Sequence, residues 1–354
     1  MERVPKPKLE IKPNPYYRRS AISEPHEFFG RENEMREIFQ LIEQQQSIAL
    51  IGERRAGKSS ILNAISFLSY DSKLSQDVRF VFVNCLYAEG SPERRFIKHM
   101  LNQLTHELEI DKLPPERDSL FDAAEAARSK GYKLVILMDE IDVIVDNREI
   151  PKDLFSFFRA WSEGFHIPFV ITSREGRIEP LLSFTSIGSP FWNSLKTVYV
   201  GPFTHAETMN LILTPAYLCD QPFTPEQVEW IHQYGGHHPF FIQIAASCVF
   251  SQPKCDPERW HTAFMGEADQ HLEYLLDFLD KKQCDALAAF ARRESIDPRI
   301  RSELLRKGML IDEGSVQRLF SVGLEEKLQT RNKKSATATR GLVENVRELI
   351  QGVE

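Results

Sequence analysis

The stretch that most constrains this chain is Gly52–Ser59, which directly follows the apolar run Ser47–Ile51. Its sequence, GERRAGKS, matches the pattern G-x-x-x-x-G-K-[ST] at every fixed position. The next residues, Ser60–Ile65, have helical character, so the stretch lies between a short buried strand and a helix. In that setting, backbone N–H groups and the positive end of the helix dipole surround a bound phosphate. The stretch therefore predicts a phosphate-binding loop rather than a glycine-containing turn that matches by chance.

The fixed side chains of this loop have predicted tasks. Lys58 is expected to reach the β- and γ-phosphates of a nucleoside triphosphate, and the Ser59 hydroxyl is expected to hold Mg²⁺. The predicted cofactors are therefore ATP or ADP and Mg²⁺. The side chains of Arg54 and Arg55 are expected to point outward, either into solvent or toward a neighbouring subunit. The nucleotide-binding positions predicted in and beside the loop are Gly52, Arg55, Ala56, Gly57, Lys58, Ser59 and Ser60.

Composition fits a globular protein that is long enough for two or three domains. The chain is 42% hydrophobic and 27% charged, and no run approaches the ~20 apolar residues of a membrane span. The net charge of −7 argues against a chain that mainly coats nucleic acid, although it permits a local basic face. Five scattered cysteines without a C-x-x-C pair argue against a disulfide framework and against a zinc site. We expect a cytoplasmic protein that does not enter a membrane.

Apolar runs alternate with helical patterns through the first part of the chain. Continuous runs such as Leu134–Met138 are typical of parallel strands that helices cover on both faces. The predicted fold class is α/β, with a doubly wound, parallel five-stranded P-loop sheet followed by a helical lid subdomain and a winged-helix domain. The predicted strands are residues 47–51, 78–83, 133–138, 168–172 and 197–200.

The domain organisation follows from changes in these patterns. Five prolines indicate an extended, poorly packed lead-in, and helical patterns replace the alternation after Gly201–Pro202. Thr224 and Gln227 predict a capping box, and helices followed by a hairpin that turns at Glu313–Gly314 indicate a winged helix. The predicted parts are a lead-in over 1–25, an α/β core over 26–201, a helical lid over 202–276, a winged helix over 277–330, and a basic linker with a short amphipathic helix over 331–354.

Polar residues follow the third and fourth predicted strands, where a doubly wound sheet binds its ligands. Asp139 is expected to position Mg²⁺ through water, and Glu140 to polarise the attacking water as general base. Acidic residues after a strand are often only a solvated loop, but the phosphate-binding loop favours a hydrolytic site. In the fourth strand, Thr172 could bond the lytic water or the γ-phosphate, and Arg174 could detect the phosphates. From the residues alone, a capping turn with a surface arginine fits Thr172–Arg174 equally well.

Several motifs in this order resemble those of STAND ATPase modules, the AAA+-related branch that includes apoptotic and plant resistance switches. The resemblance extends over residues 13–330, and the two Walker motifs are its specific parts. It implies a P-loop sheet of the AAA+/ASCE type. The motifs are Phe29-Gly30-Arg31-Glu32, the loop Gly52–Ser59, Leu137-Met138-Asp139-Glu140-Ile141-Asp142, Ile171-Thr172-Ser173-Arg174 and Gly235-Gly236-His237-His238-Pro239.

The resemblance also implies further site residues. Arg174 corresponds to the arginine that reads the γ-phosphate, and Pro239 corresponds to the lid proline that packs against adenine. The stretch of Phe29, Gly30 and Arg31 corresponds to the segment that flanks the base. Two histidines, His237 and His238, separate Gly236 from Pro239 and depart from the usual G-x-P spacing, and polar caps at the start of a helix are the favoured interpretation for both.

The resemblance implies a molecular switch in signalling or prokaryotic defence. ADP would hold a closed form, exchange for ATP would open it, and slow hydrolysis would reset it. The expected partners are further copies of the chain or a separate effector protein. Such a switch needs nucleotide contacts from more than one subdomain, because a ligand shifts an equilibrium only through its differential affinity for the two states. Arg174 and Pro239 are the residues expected to supply those contacts.

Two other functions remain open. A DNA-binding AAA+ ATPase of the origin-recognition type would use the predicted winged helix, with basic residues on one helix as the reader; acidic residues at the wing and the negative total charge argue against it. A scaffold that uses nucleotide only structurally would not need Lys58, Ser59, Asp139 and Glu140 together. The candidate DNA-reading residues are Arg299, Arg301, Arg306 and Lys307.

Overall fold

The computed structural model describes residues 13–68, 77–174, 190–314 and 316–331. The chain divides into two compact units, one of residues 20–201 and one formed by the rest of the chain. The predicted linker and the amphipathic helix after residue 331 lie outside the described residues. None of the helices in the described ranges is long and apolar enough to cross a bilayer.

Residues 20–201 form an α/β unit around one sheet. All pairings in its five-stranded sheet are parallel, and the strand order is β2-β3-β4-β1-β5. The predicted parallel five-stranded sheet is therefore confirmed. Its strands are β1 (Ser47–Gly52), β2 (Val78–Asn84), β3 (Lys133–Asp139), β4 (Phe169–Arg174) and β5 (Leu195–Tyr199).

Helices cover both faces of the sheet. The central strand β1 is buried along its whole length, with Ile48 and Leu50 in one apolar cluster and Ala49 and Ile51 in the other. Side chains of α1 and α2 join the first cluster, whereas α3, α4 and α6 join the second. The helices of this unit are α1 (Glu32–Glu43), α2 (Lys58–Leu68), α3 (Glu93–Leu108), α4 (Ser119–Ser129), α5 (Asp142–Asp146), α6 (Asp153–Phe165) and α7 (Pro190–Asn193).

Strand register brings the predicted chemical residues to one edge of the sheet. Gly52, where the phosphate-binding loop begins, pairs with Arg174 at the end of β4. Asp139, the last residue of β3, pairs with Asn84 at the end of β2. Because parallel strands all present their carboxyl ends at the same edge, the loop, the acidic pair and the arginine converge there.

The other unit is mainly helical. Capping boxes at Thr204, Thr224 and Asp280 satisfy backbone N–H groups at the first turns of three helices, including the one predicted at Thr224. Residues 322–331 are also helical. The other helices are α8 (His205–Leu218), α9 (Pro225–Gly235), α10 (Pro239–Ser251), α11 (Pro257–Asp277), α12 (Lys281–Ala291) and α13 (Pro298–Arg306).

A two-stranded antiparallel hairpin, β6 (Leu310–Glu313) and β7 (Val316–Leu319), follows α13. Its position after α12 and α13 matches the helix, helix and hairpin order read from the sequence. The structure places these residues in one unit with the preceding helices. The winged helix and its boundary at residue 276 therefore stay predictions.

Part of the lead-in is packed, which corrects the sequence-based expectation. Tyr16 is 1% exposed, and its hydroxyl donates to the Ile212 carbonyl and accepts from the Ala216 N–H at 3.0 Å. Pro215 lies inside α8, where it has no backbone N–H to donate and its ring crowds the preceding turn. The Tyr16 hydroxyl bridges the Ile212 carbonyl and the Ala216 N–H. Proline content predicted an extended backbone, but it could not show that an aromatic ring has a buried site.

Candidate functional site

The phosphate-binding loop has the backbone of an anion-binding turn. Arg55 and Gly57 both have positive φ, 66° and 98°. Glycine adopts this conformation without the steric penalty that a Cβ brings, which explains the glycine at position 57. The loop leads from the end of β1 into α2, which begins at Lys58. Successive left- and right-handed residues before a helix N-terminus turn backbone N–H groups toward a common centre, as phosphate binding requires.

Lys58 lies over this loop. Its Nζ donates to the carbonyls of Gly52 and Glu53, each at 2.8 Å. Burial lowers the pKa of Lys58 to about 8, against the opposing influence of carboxylates that include Glu53 and Asp139. The ammonium is therefore held at the loop by carbonyl groups, and a bound phosphate would replace them as its partner.

Ser59 and Asp139 come together through a shared network. The Ser59 hydroxyl donates to Asp139 Oδ1 at 3.1 Å, and the Thr172 hydroxyl donates to the same oxygen at 2.6 Å. These two donors hold the carboxylate beside the loop. Thr172 has only one hydroxyl proton, which Asp139 uses here. Thr172 therefore orients Asp139, and its contact with nucleotide stays a prediction.

Glu140 is held in an unusual backbone conformation. Its φ is 55°, in the left-handed region that non-glycine residues rarely adopt. The Glu140 N–H donates to Thr172 Oγ1 at 2.8 Å, and the Ile141 N–H donates to the Thr172 carbonyl at 3.0 Å. Thr172 therefore positions both acidic residues. The Glu140 side chain is exposed at the loop, where a water molecule can reach it.

Arg174 is bound to an aspartate whose task the sequence did not reveal. Asp142 accepts hydrogen bonds from the Ser173 hydroxyl at 2.5 Å, the Arg174 N–H at 3.0 Å and Arg174 Nε at 3.4 Å. The Asp142 side chain is buried, whereas that of Arg174 is about one-third exposed. Asp142 thus fixes the end of β4 and the direction of the arginine. The second aspartate of the Asp-Glu-Ile-Asp run, Asp142, was the available signal.

Arg31 supports the backbone of the phosphate-binding loop. Its buried guanidinium donates to the Ala56 carbonyl at 3.0 Å and to the Gly201 carbonyl at 2.7 Å, and it pairs with Glu34 at 2.7 Å. The guanidinium thereby links the backbone of the phosphate-binding loop to Gly201, two residues after the end of β5. The Arg31 side chain contacts the backbone of the phosphate-binding loop, and the predicted place of Arg31 beside the base stays a prediction.

The remaining predicted residues are distributed around this centre. Gly30 has a φ of 71° and leads into Arg31, and Phe29 is half-buried. The Ser60 hydroxyl accepts from the Ile22 N–H at 3.1 Å, so it anchors the preceding chain segment. Pro239 belongs to the other unit, where it is the first residue of α10. Nucleotide contacts of these residues stay predictions.

The two histidines before Pro239 do not act as polar caps. His238 occupies the N-cap position of α10 but makes no capping hydrogen bond with its side chain. Its ring packs near Phe241 and Phe320. His237 is also buried, and its Nδ1 lies 2.7 Å from the Thr208 hydroxyl. The capping interpretation is therefore wrong, because both rings turn inward.

The donor set fits Mg²⁺. A hydroxyl and a carboxylate oxygen, from Ser59 and Asp139, lie 3.1 Å apart at the mouth of the loop. Mg²⁺ prefers oxygen ligands and binds proteins through one or two side chains while it keeps several waters and substrate phosphates. These two residues would hold it.

The fold and the site together define a P-loop nucleoside triphosphatase. The sequence model of the novel STAND NTPase 1 family matches residues 20–240, more than half of the 354 residues. The chain belongs to this family, which confirms the STAND resemblance. No curated protein sequence matches it.

Solved structures share the fold over almost the whole chain. A Walker-type ATPase of Pyrococcus abyssi, PABY2304, superposes with a TM-score of 0.65 at 18% identity, covering 89% of this chain and 99% of its own. The ORC2 protein of Aeropyrum pernix, in ADPNP–ADP complexes, gives a TM-score of 0.57 at 13% identity, covering 92% of this chain and 98% of its own. At these identities the likeness establishes the fold.

Proposed function

We propose that this protein is an ATP-binding and ATP-hydrolysing switch of the STAND type, which changes conformation or self-association with its nucleotide state to control a partner effector. The observation that carries the proposal is the network in which Ser59 and Thr172 both donate to Asp139, while Thr172 also holds the backbone of Glu140. This network fixes the metal-binding and water-activating acids relative to Lys58, as phosphoryl transfer to water requires.

Hydrolysis needs charge stabilisation and an activated water. Mg²⁺ held by Ser59 and Asp139 would neutralise charge that develops on the β- and γ-phosphates. Lys58 would exchange its two carbonyl acceptors for phosphate oxygens, which brings its positive charge onto the same groups. Glu140, exposed beside the site, would accept a proton from the attacking water.

Switching requires a group that senses the γ-phosphate. Arg174 is held by the buried Asp142, which orients it at the carboxyl end of β4. ATP offers this guanidinium a γ-phosphate that ADP lacks, so the two nucleotides would stabilise different arrangements. Pro239 would contact the base, as the family resemblance implies. Self-association of the ATP form is consistent with membership of the STAND family.

Turnover of the Glu140→Gln variant tests the hydrolytic assignment. The amide cannot accept the proton of the attacking water, so we expect ATP hydrolysis to fall at least about 100-fold while ATP binding is kept. Glu149→Gln, an exposed change in the same region, is the matched control and should turn over normally. Wild-type turnover in Glu140→Gln would contradict the assignment, and absence of turnover in the wild type would contradict hydrolysis itself.

A DNA-binding ATPase is the second candidate. Arg299 and Arg306 are exposed on α13, immediately before the hairpin, whereas the exposed Asp312 on β6 opposes phosphate contacts. If DNA is a ligand, duplex binding at low salt should fall steeply as salt is added, because phosphate contacts release counterions. It should also weaken in Arg299→Ala. Fluorescence anisotropy with a labelled duplex measures both, and absence of binding at low salt excludes this candidate.

A further inference from the structure

Three histidines converge in the helical unit. His205, His232 and His237 each offer one ring nitrogen, and these nitrogens all lie within 4.8 Å of one another. His205 is the first residue of α8, His232 lies in the last turn of α9, and His237 lies in the turn before α10. His232 and His237 are buried, whereas His205 is exposed. The cluster therefore has a fixed base and one side open to solvent.

The backbone around His237 is closely packed. Gly236 has a φ of 55°, and a Cβ at this position would lie 2.2 Å from the Phe320 carbonyl oxygen. A Cβ on Gly235 would lie 2.6 Å from the Ile242 Cα. The His237 carbonyl also accepts from the Phe203 N–H at 2.8 Å. These contacts fix the direction in which the His237 side chain leaves the turn.

A hydroxyl orients the His237 ring. The Thr208 Oγ1 lies 2.7 Å from His237 Nδ1, and Thr208 is fully buried. Metal-binding histidines usually donate their second ring N–H to such an oxygen, which fixes the tautomer and leaves the other nitrogen as the ligand. Binding at Nε2 of His237 would select the tautomer in which Nδ1–H donates to Thr208.

The spacing of the rings is close to that of a coordinated set. Ring centroids are separated by 5.1 Å for His232 and His237, 5.7 Å for His205 and His232, and 6.2 Å for His205 and His237. Tetrahedral Zn²⁺ with Zn–N bonds of about 2.0–2.1 Å places ligand nitrogens about 3.3 Å apart. The three ring nitrogens, within 4.8 Å of one another, would have to approach each other to reach this spacing.

We propose that His205, His232 and His237 form a Zn²⁺ site with a fourth position open to water. Neutral imidazoles favour Zn²⁺ and similar transition metals over Mg²⁺ and Ca²⁺, which prefer oxygen ligands. The site lies in the helical unit, whereas the phosphate-binding loop lies in the α/β unit. It would clip the start of α8 to the turn before Pro239.

Cobalt and zinc titrations of the full chain test this site. After treatment with EDTA, the wild type should bind one equivalent of Co²⁺ with the visible absorption of a tetrahedral complex, and Zn²⁺ should displace it. His205→Ala should weaken the affinity at least about tenfold, because it removes one of three ligands from an exposed position without opening the core. His106→Ala, an exposed histidine of α3, is the matched control and should bind like the wild type.

Contrary results are equally specific. Equal affinities for His205→Ala and His106→Ala, or binding below half an equivalent, would overturn the site and leave the three rings as a packing cluster. An absorption spectrum that persists in His205→Ala would place the metal at other ligands. Displacement of Co²⁺ by excess Mg²⁺ would assign the metal to the oxygen ligands of the nucleotide site.

Discussion

At the residue scale, carbonyl acceptors and nearby carboxylates explain how the Lys58 ammonium is accommodated in a buried loop. Two carbonyl oxygens, of Gly52 and Glu53, accept from it at 2.8 Å. Burial disfavours the charged form and lowers its pKa to about 8, although the neighbouring acids favour the charge. Phosphate oxygens would favour the charge more strongly than carbonyls do, so nucleotide binding and protonation are linked.

This linkage predicts a pH dependence of nucleotide affinity. Below about pH 8 Lys58 is already charged, whereas at pH 9 binding must bring in a proton. We expect the affinity for Mg-ATP, measured with the Glu140→Gln variant, to be several-fold to about tenfold weaker at pH 9 than at pH 7. Calorimetry in two buffers of different ionisation enthalpy should detect uptake of close to one proton at pH 9. Equal affinities and no proton uptake would contradict this role of Lys58.

The same depressed pKa makes folding stability rise with pH, whereas the affinity for nucleotide falls. Between about pH 8 and the ordinary lysine pKa of 10.5, the unfolded chain holds a proton on Lys58 that the folded, nucleotide-free protein does not. The contribution of this group to stability therefore rises with pH across that window. Deprotonation of Lys58 therefore stabilises the nucleotide-free protein, whereas nucleotide binding requires the charged form of the same side chain.

At the element scale, α8 depends on a hydroxyl from the N-terminal segment. Pro215 lies inside the helix, and the Tyr16 hydroxyl bridges Ile212 and Ala216, both of which are fully buried. Burial also raises the pKa of Tyr16 well above its ordinary value, so the hydroxyl remains protonated and can donate. The segment that carries Tyr16 therefore contributes to the stability of the helical unit.

Removal of this hydroxyl should destabilise the helical unit. Tyr16→Phe leaves the Ile212 carbonyl and the Ala216 N–H without their bridge, at an expected loss of about 1–3 kcal/mol. Denaturant unfolding should show the loss as a lower midpoint for the transition of this unit. Tyr17→Phe, at a residue that is 79% exposed, is the control and should leave the midpoint unchanged. Equal midpoints for the two variants would contradict the bridging role.

Periodicity and motif spacing predicted most elements of the α/β unit, because its strands are continuous apolar runs. The phosphate-binding loop, Asp139 and Glu140 were predictable because a local pattern identifies them. The ties of Thr172 to both acids and of Arg31 to Ala56 were not, since they join distant segments through side chains that fit several structures equally well. The cluster around His205 escaped notice for the same reason, because its members share no metal-binding spacing.

At the scale of the whole molecule, two observations bear on how the protein works. Its family membership rests on residues 20–240, which include the complete α/β unit and the first part of the helical unit. Its fold likeness to PABY2304 covers 89% of the chain and extends into the helices beyond. Both the family match and the fold likeness therefore extend beyond the α/β unit into the helices of the other unit.

The most direct test of the switch is the mass of the Glu140→Gln protein with ATP and with ADP, measured by light scattering. We expect the variant to hold ATP without hydrolysing it, so that the two nucleotide states can be compared at equilibrium. We expect a larger mass or a changed hydrodynamic radius with ATP. Adding Arg174→Ala should abolish the difference, whereas adding Arg148→Ala, an exposed control, should not. Identical mass and radius with both nucleotides, although both bind, would contradict the switch.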